Sequence, residues 1–230
     1  MTENQSGPKK DLFLPASIIA AAVIVAGAVI YIKGPKIVPE PRPVTGKTLT
    51  IPIPDDKTLI DDDVILGELD APVTIVEFGD YQCPYCEKLF TDTEGKLREE
   101  YIKTGKAKMV YRDFPLTAIH PEAQPSAEAA GCAQDQGKFW AYHDLLFKRQ
   151  AELSGADYVA WAVELGLDKA KFKACVDSHK YAAEIAKDYE DGVRFGINGT
   201  PGTFINGKLI PGAQPYSVFK KAIDDALLAK

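Results

Sequence analysis

The residues best suited to chemistry are Cys83 and Cys86, set in Phe78-Gly79-Asp80-Tyr81-Gln82-Cys83-Pro84-Tyr85-Cys86. Two cysteines at that spacing share one helix face and come within bridging reach. The β-branched run at 73–78 predicts a buried strand, and a helical pattern follows the pair. The cysteines therefore fall at a strand-to-helix junction. Cys83 is at the helix mouth, and Pro84 is in the first turn, where its missing N–H has no intrahelical partner to lose. The free N–H groups and the positive end of the helix dipole stabilise a thiolate there. A free thiol titrates near ~8.5, and cysteines so placed fall to roughly 3.5–7.5. Cys83 is the expected nucleophile, and the deeper Cys86 is expected to resolve a mixed disulfide. Half of a zinc site is the competing reading, but it needs a second Cys or His pair at ligand spacing. Cys132 and Cys175 stand alone, and His120, His143 and His179 are scattered, so no metal site and no cofactor are expected.

The elements that must position this pair can be read on either side of it. A helix is expected from Pro84 to about Lys103, stopped by Gly105, and a second strand at 108–112. Strand, helix and strand make a right-handed crossover between parallel strands. Residues 114–195 then read as helical, with stretches at 127–134, 139–149, 158–165, 169–176 and 182–195. Phe139, Trp140, His143, Leu146 and Phe147 recur at helical spacing and read as core, as does Trp161; His120 is assigned no role. Thr203-Phe204-Ile205 and Lys208-Leu209-Ile210 flank Asn206-Gly207, which predicts a hairpin with a type I′ turn. A last helix is expected over 215–228. Glu77 interrupts the apolar strand. It is either a buried acid with a raised pKa or a carboxylate that reaches solvent at the sheet edge.

Cys83-Pro84-Tyr85-Cys86 after a strand, with Gly199-Thr200-Pro201-Gly202-Thr203-Phe204 far downstream, resembles the thioredoxin superfamily. More than 100 residues separate the two motifs, a helical insertion similar to that of the bacterial DsbA-type thiol:disulfide oxidoreductases. The resemblance spans about residues 64–229 and implies an α/β thioredoxin-like fold. It implies that Glu77 is a buried acid that passes a proton to or from Cys86. It implies a cis bond at Thr200–Pro201, with Pro201 beside the active pair. The Thr200 backbone would pair with an extended substrate, with Pro84 and Tyr85 also meeting it. Cys132 and Cys175 read as buried thiols or, together in an oxidising compartment, as a structural disulfide, which the family permits. That bridge would close a loop of 43 residues. Pro84-Tyr85 also occurs in glutaredoxins and DsbG-type isomerases, so the dipeptide does not fix the direction of electron flow.

A net charge of −6, with 46% hydrophobic and 26% charged residues, is an ordinary globular composition without a basic footprint for nucleic acid. Residues 1–11 form a polar tail. Residues 12–32 run for 21 residues without a charge. As a helix that is about 31 Å, enough to span a hydrocarbon core. An uncleaved transmembrane anchor is expected; the alternative is a signal peptide cut near Ala26-Gly27-Ala28. Lysines flank both ends, so the orientation rests on the cysteines, which suit an oxidising compartment. The tail is then cytoplasmic and the domain extracytoplasmic. Residues 33–63 read as a proline-rich linker ending in a solvated Asp61-Asp62-Asp63 turn, and 64–230 as the thioredoxin-like domain. The expected function is disulfide donation to folding proteins. The resemblance implies a quinone-linked DsbB-type or VKOR-type membrane protein as reoxidase. A reductase or isomerase of the same fold, and a non-catalytic cysteine-based binding module, remain alternatives.

Overall fold

The computed structural model describes residues 54–229. The expected tail, the membrane helix at 12–32 and most of the linker lie outside the described residues. Among the described residues no helix is long and apolar enough to cross a membrane.

The β-branched run forms β1 (Val73–Gly79), buried at every position because helices cover both of its faces. β2 (Ala107–Asp113) lies parallel on one side. On the other side β3 (Gly202–Ile205) runs antiparallel, with β4 (Lys208–Pro211) beyond it, giving the order β2-β1-β3-β4. Glu77 is level with Tyr111 on one neighbour and Thr203 on the other. The Asn206-Gly207 turn has φ of 44° and 80°, the positive pair that the I′ hairpin requires. The Thr74 N–H donates to the Asn206 side chain at 2.7 Å, which ties the hairpin to β1.

The two faces of β1 carry different cores. Val73 and Ile75 pack with Leu89, Leu97, Phe219 and Ile223, whereas Val76 and Phe78 pack with Leu59, Phe114, Phe195 and Ile197. Strand alternation puts Glu77 on the face of Ile75, beneath the helix that begins at the cysteines. That helix, α2, starts as Pro84–Leu89, widens to a π turn at Phe90–Glu94, tightens at Gly95–Leu97 and widens again at Arg98–Ile102. It ends where the sequence predicts, but not as one regular helix. The widened turns bring both Thr93 and Glu94 into the interior.

Five helices fill the segment between β2 and β3. These are α3 (Ala123–Gln134), α4 (Phe139–Lys148), α5 (Tyr158–Glu164), α6 (Lys169–Asp177) and α7 (Ala182–Arg194); α8 (Tyr216–Leu228) closes the chain. Cys132 on α3 and Cys175 on α6 are bonded, their Cα atoms 5.7 Å apart. Gly131 lets α3 meet Tyr181, since a Cβ there would come within 2.4 Å of the ring. The insertion's core is continuous with the loop after β1: Tyr81, Cys83, Cys86 and Tyr111 belong to the same buried cluster as Phe139, Tyr142, Phe147 and Trp161.

The expected start of the domain at 64 needs correction. A short helix, α1 (Asp56–Ile60), precedes it, capped by Asp55, whose carboxylate accepts the Thr58 N–H at 2.8 Å. Leu59 is only 1% exposed and belongs to the core under β1. Asp61-Asp62-Asp63 is not simply a solvated turn. Asp61 and Asp63 approach Arg112 at 3.6 and 3.1 Å, and Lys187 pairs with Asp61. The reason is Arg112 itself: a fully buried guanidinium at the end of β2 is stable only among carboxylates, and Asp188 and Asp191 of α7 supply two more. Composition marks the segment as polar but does not show the cation that recruits it.

Candidate active site

Cys83 is the N-cap of α2 and Pro84 its first residue. Its N–H donates to the Asp80 carbonyl at 3.0 Å, and its own carbonyl accepts from the N–H groups of Cys86 and Glu87, each at 3.1 Å. The chain thus turns from β1 into the helix within one tight loop. The Thr200–Pro201 bond is cis, and this loop lies against the pair: the Cys83 thiol donates to the Thr200 carbonyl at 3.5 Å. The Thr200 hydroxyl is buried with no partner of its own, so it is the donor available once Cys83 ionises. Both cysteines are unbonded, and both are buried.

Their environments push the two thiols apart. A hydrogen bond from Cys86 favours the Cys83 thiolate; burial opposes it, and the Thr200 side chain and the N–H groups of Cys86 and Tyr85 add support. The result is a thiol lowered to about 5. Cys86 goes the other way. Burial raises it first, then the bond it donates to Cys83 and the charge of Glu77. The Asp80 N–H, 3.5 Å from its sulfur, works in favour of a Cys86 thiolate.

Glu77 does not reach solvent at a sheet edge. It is 2% exposed on the central strand. Burial pushes its carboxyl well above the usual range, Glu94 pushes it further, and Arg98 opposes both. Arg98 pairs with Glu94 and with Asp144 of α4, at 2.8 Å to the latter, and stacks over Trp140. Glu94, His143 and Asp144 are close enough together to hold a metal ion, but the Arg98 guanidinium already lies on both carboxylates. His143 is fully buried among Tyr81, Tyr111, Phe90 and Phe147, as a packed histidine.

Sequence reasoning did not identify the residues that hold the loop. Gln150, from the turn after α4, donates its side-chain amide to the carbonyls of Tyr81 (2.8 Å) and Cys83 (3.0 Å). The Gln82 side chain accepts the Glu122 N–H at 2.7 Å. The Asp80 carboxylate accepts from Gln82 N, Leu116 N and His120. Asp80 and Gln82 stand inside the motif, and polar residues there were a usable signal. Gln150 lies 67 residues beyond Cys83 and carried none. Tyr85, by contrast, is an exposed aromatic beside the pair.

The fold and this constellation define a class. Residues 60–225 match the family model described as Thioredoxin, and the chain belongs to the thioredoxin family. It is 32% identical over 174 residues to the probable disulfide bond formation protein D of Bacillus anthracis, covering 70% of this chain and 77% of that protein. BdbD from Bacillus subtilis, in its oxidised form, superposes with a TM-score of 0.64 at 26% identity, over 72% of this chain and 93% of that one. The chain is also 37% identical over 178 residues to Na(+)/H(+) antiporter NhaA 1 of Salinispora arenicola, covering 77% of this chain. It spans about a quarter, 26%, of that relative's length.

Proposed function

We propose that this protein is a thiol:disulfide oxidoreductase that donates the Cys83–Cys86 disulfide to thiols of folding proteins outside the cytoplasm, tethered by a membrane helix at 12–32. The observation that carries the chemistry is the opposed pair: a Cys83 thiol at about 5 beside a Cys86 thiol held well above its usual value. A substrate thiolate attacks the Cys83 sulfur of the disulfide; the S–S bond breaks and Cys86 leaves with the electron pair. A second substrate thiolate then attacks the substrate's own sulfur in the mixed disulfide, and Cys83 leaves as a thiolate. The substrate loses two electrons to the cysteine pair. A membrane reoxidase of DsbB or VKOR type takes them onward. A stabilised leaving thiolate favours the reduced enzyme, which makes the disulfide a good oxidant. Glu77 supplies the proton that Cys86 needs on leaving. The backbone of Thr200 pairs with the substrate, flanked by Pro84 and Tyr85.

The test is direct. Cys86→Ser should trap mixed disulfides with disulfide-bonded substrates, the Cys83 thiolate attacking the substrate S–S bond and one substrate thiolate leaving, and Cys83→Ser should trap none; the opposite outcome reverses the roles. A potential of the pair above about −200 mV supports an oxidant, and one near about −270 mV would favour a reductase. The tether is checked separately: the protein should stay with membranes after a carbonate wash, and a mature N-terminus at Val29 would show a cleaved signal instead.

A further inference from the structure

Asp80 has no part in the exchange steps above, yet its contacts converge on them. Its side chain is fully buried and accepts three donors: the Gln82 N–H at 2.7 Å, the Leu116 N–H at 2.9 Å and His120 Nδ1 at 2.7 Å. A carboxylate offers only acceptors, so His120 is the donor of that pair. The Asp80 main chain works on both cysteines. Its carbonyl accepts the Cys83 N–H at 3.0 Å, and its N–H points at the Cys86 sulfur at 3.5 Å. His120 comes from the segment between β2 and α3, so the insertion reaches Asp80 through this side chain as well as through Leu116 N.

We propose that Asp80 and His120 form a positioning pair that aims the Asp80 N–H at Cys86, stabilising the Cys86 thiolate whenever it attacks or leaves. This rests on the exchange chemistry proposed above and adds the group that serves its buried sulfur. An N–H aimed at an anion in a buried site is worth much more than one facing water, and it costs nothing to reorient at the moment of reaction. The aim depends on the peptide plane between Gly79 and Asp80, which the side chain fixes from the far side. His120 and the Leu116 N–H share the carboxylate oxygen that points toward the insertion, and His120 is its side-chain donor. Without it, an underpaired buried carboxylate would turn toward other donors and take the peptide with it.

The experiment follows a thiol released by Cys86. Reduced protein reacts with 5,5′-dithiobis(2-nitrobenzoate), Cys83 takes one thionitrobenzoate as a mixed disulfide, and Cys86 then attacks the Cys83 sulfur and expels it. His120→Ala should slow this second release about tenfold, the worth of one hydrogen bond to a charged group. The rate at which iodoacetamide modifies Cys83 should change by less than the release does, because the Asp80 N–H faces the Cys86 sulfur whereas its carbonyl meets only the Cys83 main chain. His120→Asn keeps an N–H donor close to the Nδ1 position and should release within about twofold of the parent. Release by His120→Ala within about twofold of the parent overturns the proposal, as does equal slowing in His120→Asn. If His120→Ala does not fold, Asp80→Asn replaces it, with slowed release expected and unchanged release counting against the pair. A parent protein that never expels the second thionitrobenzoate would instead sink the proposed oxidoreductase function.

Discussion

At Cys83 the helix N-terminus, the Cys86 thiol and Thr200 meet on one sulfur and outweigh the burial that opposes a thiolate, leaving the thiol at about 5. At pH 7 thiolate then exceeds thiol about a hundredfold. The alkylation rate of the reduced protein should therefore rise through pH of about 5 and level off, and Cys83→Ser should remove it. A midpoint near the ordinary ~8.5 would show that the helix mouth does not activate the sulfur. The same shift has a consequence for stability. A depressed folded-state pKa stabilises the reduced protein fully above the ordinary thiol value and loses that contribution as pH falls toward about 5. The disulfide form has no such group, so the melting temperature of the reduced form minus that of the oxidised form should shrink from pH 9 to pH 5. Glu77 is the second residue with a testable role. Burial keeps its carboxyl protonated well above the usual range. Glu77→Gln keeps the shape and removes the transferable proton, and should slow disulfide donation roughly tenfold or more. Unaltered donation by a folded Glu77→Gln protein would leave the proton to solvent.

Among the elements, α2 and the insertion act as one unit. The loop that opens α2 hangs from the insertion through Gln150, Glu122, Leu116 and His120, and the insertion's own helices are stapled by Cys132 and Cys175. That bridge closes a loop of 43 residues. The chain-entropy value for such a loop is about 4 kcal/mol, or a drop of about 10 °C in melting temperature for a protein of this size. Cys132→Ala with Cys175→Ala should show that drop while exchange per folded molecule is maintained, because the four contacts to the loop stay in place. If exchange is lost below the melting transition, the staple does more than hold α3 to α6.

Across the whole molecule, the segment from Asp55 to Asp63 belongs to the folded domain. Leu59→Ala should cost about 3 kcal/mol in denaturant unfolding, as for a buried leucine. A loss near zero would return the segment to the linker. Arg112 gathers Asp61, Asp63, Asp188 and Asp191, and beside it Asp113 has a buried oxygen without a partner. Burial, then Asp188, pushes the Asp113 carboxyl well above its usual value. Below the ordinary carboxylate range Asp113 is neutral folded and unfolded. As pH rises past that range the unfolded chain ionises first, so stability falls. Asp113→Asn should therefore raise the melting temperature at pH 7 and lose that advantage below about pH 4. A gain that persists at low pH would point to a cause other than ionisation.

The sequence alone determined most of the elements and the place of the cysteine pair at a helix mouth. A β-branched run placed β1, the Asn206-Gly207 turn placed the hairpin, and helical spacing placed the insertion helices, because each signal follows from local backbone geometry. Cys83 and Cys86 were legible because the helix mouth is a local feature that their own spacing encodes. Glu77 was legible as an anomaly, a charge in an apolar strand, but only the sheet order showed that it lies on the central strand with no route to an edge. The π turns of α2 were not legible, since a one-residue widening leaves composition unchanged. Only tertiary structure decided what holds the reactive loop: Gln150 and His120 are distant in sequence from the cysteines, and their hydrogen bonds come from packing the insertion against β1. It also decided where the domain begins. A run of aspartates is polar in any context, and these became part of the fold because a buried arginine at the far end of another strand needs their charge.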